Sequence, residues 1–132
     1  MQQTHIIVRM SYLDDLKDIP TQRIWGDMTA RGIQGQNLTL GILDLEPNGR
    51  VPEHHHEAEQ IGVCIKGSIT WIAGGETREL KPGATWHFPS NVPHECYAGP
   101  DGAILIEGFS PPRYDWAQFE KQPASKPDWL DK

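Results

Sequence analysis

Residues 60–80 read QIGVCIKGSITWIAGGETREL, two runs of β-forming residues, 60–65 and 68–73, parted by Lys66-Gly67 and closed by Gly74-Gly75. Paired glycines supply the positive φ angles of a tight two-residue turn, so residues 68–73 are expected to fold back on 76–80 as a hairpin. The same pattern extends both ways. Leu38, Leu40, Ile42, Leu43 and Leu45 lead to the turn signal Pro47-Asn48-Gly49, and Pro82-Gly83 precedes a strand at 84–88. Pro89 to Pro93 forms a rigid loop, and 103–109 is the most apolar strand. Eight or nine short strands in about 85 residues, with no long helix between them, predict an all-β fold closed into a barrel or jelly roll. Upstream, Ile6, Ile7 and Val8 suggest an edge strand, and Asp14, Asp15 and Asp18 a loop. Downstream, only 114–121 looks able to form a short helix, and Pro123 and Pro127 favour an extended tail. The chain therefore divides into an N-terminal strand and loop (1–27), a β-barrel (28–113) and a short helix with tail (114–132).

The chain has 132 residues, with 13 Gly and 11 Pro dispersed along it rather than clustered into low-complexity tracts. A chain of this length buries roughly two thirds of its unfolded surface, so it needs neither disulfides nor a metal merely to fold. Any metal would then be functional. Net charge is −6 and the 12 Lys and Arg are dispersed, leaving no basic face to follow a phosphate backbone, so nucleic acid is not an expected partner. No apolar run approaches the ~18 residues of a membrane helix and no signal-peptide pattern opens the chain, so a soluble, cytoplasmic protein is expected. Cys64 and Cys96 give no disulfide framework; both are read as small buried hydrophobes, with Cys96 alternatively a soft metal ligand or redox-sensitive thiol.

Three of the 6 histidines stand in a row at His54, His55 and His56. In an extended strand His54 and His56 leave one face with Cα atoms roughly 6.5 to 7 Å apart, and His55 leaves the other. Two imidazoles so placed can share a metal. Gln60, at the start of the next strand, and His94, just past the 89–93 loop, would complete a set that leaves coordination positions for water or substrate. By spacing alone, a polar loop and a hydrogen-bonded His94 explain these residues as well. His87 alternates with Trp86 and Phe88 and faces out if the aromatics face in. Trp71 and Trp86 are expected inside or at the barrel mouth. Trp25, Trp116 and Trp129, outside the barrel at both ends, are expected to be exposed and to mark a dimer contact.

The order Gly49, His54, His56, Gln60, Gly67, followed by Pro82-Gly83, Pro89, Pro93 and His94, resembles the two motifs of the cupin superfamily. The resemblance implies a small double-stranded β-helix, usually a homodimer. It also implies one divalent transition metal (zinc, nickel, manganese or iron) on His54, His56, Gln60 and His94. Two departures stand out: most metal cupins carry Glu where Gln60 stands, and the Gly usual three residues before the last His is Asn91 here. A neutral amide in place of a carboxylate leaves the ion its full charge. That favours acidifying water and polarising a carbonyl or enol oxygen over activating oxygen. Glu57 and Glu59 are the alternative anionic ligands, but Gln60 keeps the motif's spacing to Gly67.

Residues 107–113, EGFSPPR, resemble the closing segment of small single-domain cupins, including the uronate-ketonising proteins of pectin and alginate breakdown, whose metal is typically held by three His and one Gln. The resemblance implies Glu107 as acid/base, where the family segment has the shorter Asp, and Phe109 as a pocket wall. It implies Arg113 as the partner of a substrate carboxylate, which its planar fork suits. Arg113 could instead tie the tail to the barrel by a salt bridge. Gly62 stands where dimethylsulfoniopropionate-cleaving cupins carry a Tyr base, so that activity is not expected. Three functions compete. The first is a metal-dependent isomerase or lyase acting on a small oxygenated carboxylic acid, with ketonisation of unsaturated uronates its sharpest form. The second is a metal-dependent dioxygenase of the quercetinase kind using the same ligands. The third is a non-catalytic sugar- or metabolite-binding module.

Overall fold

The computed structural model describes residues 12–130; the strand expected at Ile6 to Val8 lies outside them. Eight strands follow in chain order: β1 (Gln22–Trp25), β2 (Met28–Gln34), β3 (Thr39–Leu45), β4 (Arg50–His54), β5 (Glu59–Ala73), β6 (Glu76–Leu80), β7 (Thr85–Phe88) and β8 (His94–Ser110). Every pairing is antiparallel. The two long strands each serve two sheets. Residues 59–67 of β5 pair with 103–110 of β8, and residues 69–73 with 94–98. One sheet therefore runs β1-β2-β3-β8-β5-β7 and the other β4-β8-β5-β6. This is the expected all-β jelly roll. Among the described residues no helix is long and apolar enough to cross a membrane.

The segments expected as separate strands at 60–65 and 68–73 are one strand of 15 residues. Its register shifts on either side of Gly67, between Cys64 and Lys66 and between Gly67 and Ile69. Gly67 has φ 75° and Gly102, near its partner Ala103, φ 78°. Bulges and positive-φ glycines are how a strand turns a corner from one sheet to another without breaking. The strand expected at 103–109 is likewise only the second half of β8, which runs 17 residues. Gly74 and Gly75, at φ 57° and 82°, close the β5–β6 hairpin between paired Ala73 and Glu76. In place of a helix at 114–121 there is a short 3-10 turn, Tyr114–Gln118.

Three inner rows of the larger sheet position the site. Leu43, Leu105 and Cys64 form the deepest, each 1% exposed. Above them runs Gly41–Glu107–Gly62–Trp86, and above that Thr39–Phe109–Gln60–Phe88. Fully burying a Leu-sized side chain stabilises by roughly 1.5–3 kcal/mol, so the deepest row anchors the sheet. In the middle row the two glycines beside Glu107 leave room for indoles. Trp86 covers Gly62, where an added Cβ would come within 2.6 Å of the indole nitrogen. Trp116 covers Gly41 and its cross-strand neighbour Gly32, at 3.1 and 3.2 Å from Cβ positions there. Trp116, expected at the surface, is 1% exposed. Trp25 and Trp129 are half-buried. None of these three tryptophans is thus exposed as the sequence suggested.

Candidate metal centre

Strand pairing brings the histidines together. His54 ends β4 directly opposite His94 at the start of β8, and cross-strand neighbours share a face. Their rings lie 4.4 Å apart. His56 is not in the strand, contrary to the extended geometry expected for 54–56. It follows β4 in a short connection, where its backbone carbonyl accepts the Asn91 N–H at 2.8 Å. Asn91 stands at φ 64°, a left-handed conformation that Asn tolerates better than most residues. This explains how Asn serves where the motif usually has Gly. The His56 ring is 5.6 Å from His54 and 5.1 Å from His94. The ligand atoms of the three all lie within 4.8 Å of one another. His55 is exposed and is not part of the cluster.

The protons on these rings are fixed by the backbone. Nδ1 of His54, His56 and His94 lies 2.8 Å from the carbonyl oxygen of Pro52, Ala58 and Val92 respectively. A carbonyl only accepts, so each Nδ1 carries the hydrogen and each Nε2 offers a lone pair, the usual arrangement of metal-ligating His. Burial pushes all three imidazoles below their ordinary pKa range, His94 to about 4, with the Arg113 charge adding to it. They are neutral and ready to ligate at pH 7. His94 Nε2 is buried with no hydrogen-bond partner.

Gln60 completes the set from β5. Its Nε2 donates to Glu107 Oε2, which turns its Oε1 toward His56 Nε2 at 3.0 Å. Two acceptors then face each other with no proton between them, an arrangement that a cation relieves. Three lone-pair nitrogens, one of them the orphaned buried Nε2 of His94, and one amide oxygen fit a divalent transition metal. Glu57 and Glu59, the alternative ligands, are exposed, and Glu59 instead pairs with the outward-facing His87 at 2.6 Å.

Glu107 is 3% exposed, and burial pushes its carboxyl up to about 7 against the hydrogen bonds it accepts from Trp86 and Gln60 and the Arg113 charge. Both bonds fall on Oε2, that from Trp86 Nε1 at 2.7 Å. Oε1 has no partner among the described residues. Glu107, Gln60, His54, Phe109 and Arg113 line one cavity of about 30 Å³. That holds about a water or two, against the ~300–1,000 Å³ of ordinary ligand pockets, so a larger molecule would extend out through the mouth. Cys96 also lines it, but burial pushes its thiol far up, and with 3% exposure it is inert packing. Cys64 and Cys96 are unpaired.

Residues that the sequence did not place at the site frame the mouth. Trp25 sets its ring 5.3 Å from that of His54. Asp115 grips Arg113 through two bonds of 3.0 Å. The guanidinium lies over the rings of Phe109 and Trp116, at 5.0 and 5.3 Å. The salt bridge weighed for Arg113 is thus present, but to its own neighbour, while the side chain stays on the cavity wall.

Comparison with known proteins agrees with this fold. Residues 41–105 match the Cupin domain family. A germin-like protein of Morus alba is 32% identical over 88 residues, 61% of this chain and 42% of that one. The pectin degradation protein KdgF of Dickeya dadantii is 34% identical over 65 residues, 49% of this chain and 59% of that one. The solved structure of KdgF from Halomonas sp. superposes with a TM-score of 0.67 at 25% identity, covering 72% of this chain and 88% of that one. The chain spans about half the length of the curated relatives it matches.

Proposed function

Because this chain belongs to the cupin superfamily and holds three histidines able to bind a metal ion, we propose that it is a metal-dependent isomerase or lyase. Its substrate is a small oxygenated carboxylic acid, and ketonisation of unsaturated uronates is the sharpest version. The observation that carries this reading is the split role of Glu107: Oε2 holds Gln60 and Trp86, and Oε1 is left for a substrate proton. A divalent ion of zinc, nickel, manganese or iron type on His54, His56, Gln60 and His94 would keep its full charge beside this neutral donor set and polarise an enol or carbonyl oxygen. Ketonisation shifts a proton from an enol oxygen to an alkene carbon and consumes no co-reactant. Glu107 hands that proton across. Arg113 holds the carboxylate at the mouth and Phe109 forms the wall. The likeness to the pectin degradation protein KdgF of Dickeya dadantii, and to the KdgF structure from Halomonas sp., supports the substrate class.

The test is incubation of metal-loaded protein with the unsaturated uronate released by pectate-lyase digestion, following loss of the double bond's ultraviolet absorbance. Accelerated loss is expected. No acceleration over buffer with any of the four metals would overturn uronate ketonisation. Oxygen uptake with phenols by the iron-loaded protein would instead favour the quercetinase-type reading.

The same reading takes the working unit as a homodimer in the cytoplasm. Two unpaired cysteines suit a reducing compartment. With Trp116 buried, the support for a dimer moves to the outer sheet face, where Leu40, Ile61 and Ile65 are 37%, 55% and 40% exposed. Leu40 and Ile61 flank Gly108 in one cross-strand row, and Ile42, Ile106 and Val63 form the next. Such a contiguous apolar face suits a second copy. Ile61→Lys is expected to shift sedimentation from dimer to monomer while leaving metal content unchanged. A wild-type monomer at high concentration would dispose of the dimer.

A further inference from the structure

A guanidinium has two bidentate edges, one formed by Nε and Nη2 and the other by Nη1 and Nη2. In Arg113 the first is filled: Nε donates to Asp115 Oδ1 and Nη2 to Asp115 Oδ2, both at 3.0 Å. Nη1 has no partner among the described residues. The faces of the group lie against Phe109 and Trp116. The backbone is pinned as well, since Arg113 N–H donates to Thr39 Oγ1 at 2.8 Å and Trp116 N–H to the Arg113 carbonyl at 3.1 Å. Trp116 itself is seated against Gly32 and Gly41. The Arg113 side chain is 13% exposed, whereas that of Asp115 is 51% exposed, on the solvent side of the pair.

We propose that Asp115 is a positioning residue: by occupying one edge of Arg113 from outside, it fixes the other edge, Nη1 with Nη2, as the receptor for an incoming carboxylate. This rests on the reading of Arg113 as a carboxylate partner. It makes a demanding prediction of sign. Removing a negative charge beside the site should by Coulomb's law alone favour an anion. If Asp115 merely competed with the ligand for Arg113, its loss would also tighten binding. As a positioning residue its loss weakens binding, because the freed guanidinium must be ordered again for each carboxylate it holds.

The test is calorimetric titration of the zinc-loaded full-length protein with galacturonate and, separately, with its uncharged methyl ester. Wild type is expected to prefer the carboxylate, and Arg113→Met to lose that preference. Asp115→Asn and Asp115→Ala are expected to weaken galacturonate binding by ~2- to 12-fold, the scale of ordering one long side chain again, with ester binding and zinc content unchanged. Asp115→Glu, which can still reach the fork, is expected to restore part of the loss. Unchanged or tighter galacturonate binding by Asp115→Asn would overturn the proposal, as would a wild-type protein that does not distinguish acid from ester. If these ratios hold while the unsaturated uronate is not turned over, the positioning role stands and ketonisation alone falls.

Discussion

His56→Ala is expected to leave the protein with less than ~0.2 equivalents of bound transition metal and no metal-dependent turnover, since the loss of one of three imidazoles removes a large part of the affinity. This substitution is the cleanest of the three. His56 is half-buried and belongs to no strand, so its removal cuts little from the core. His94→Ala should lose metal equally but with a structural cost. His94 is 2% exposed and stacks on Phe88 at 4.7 Å and 14°, so truncation opens a void among aromatic rings. A cavity of that kind costs on the order of 2–4 kcal/mol. The pair of variants therefore separates ligand loss from core damage. Elemental analysis and a thermal melt decide it: both variants should be metal-free, with only His94→Ala markedly less stable.

Glu107→Gln carries the second large effect. The substituted amide keeps a carbonyl that can accept from Gln60 Nε2 and Trp86 Nε1, the two donors now bound to Glu107 Oε2. Gln60 should then hold its place and metal content should remain near wild type. What disappears is a group able to exchange a proton, and general acid–base catalysis of this kind contributes ~10²–10⁴-fold. Turnover of the unsaturated uronate is expected to drop by that factor. Glu107→Ala should do more, leaving two buried donors unpaired at a cost of roughly 1–3 kcal/mol each. Full activity in Glu107→Gln would remove Glu107 from the chemistry and leave it only as the support of Gln60.

The sequence spoke clearly where the signal was local. Gly74-Gly75 turned out to close a hairpin because two adjacent positive-φ positions have few other uses. His54, His56, Gln60 and His94 could be grouped by motif spacing, and the structure collects them, though His56 arrives through a connection rather than along a strand. Gly67 shows the opposite case. A glycine that ends a strand and one that bends it look alike in sequence, and only the pairing of both sides of Gly67 with β8 reveals a corner in one strand. Trp116 was out of reach for another reason. Its seat is made by Gly32 and Gly41, brought opposite each other by the register of β2 and β3, so nothing near Trp116 announces that it is buried. Asp115, two residues from Arg113, follows no spacing rule either; its role depends on the 3-10 turn that folds it back.

The central claim is that the convergent Nε2 lone pairs and the Gln60 carbonyl oxygen exist to hold a metal. Elemental analysis of protein purified without added metal tests it most directly. The expected result is about one equivalent of a divalent transition metal per chain, strongly reduced in His56→Ala. Wild-type protein holding less than ~0.2 equivalents, and gaining none on supplementation with zinc, nickel, manganese or iron, would contradict it.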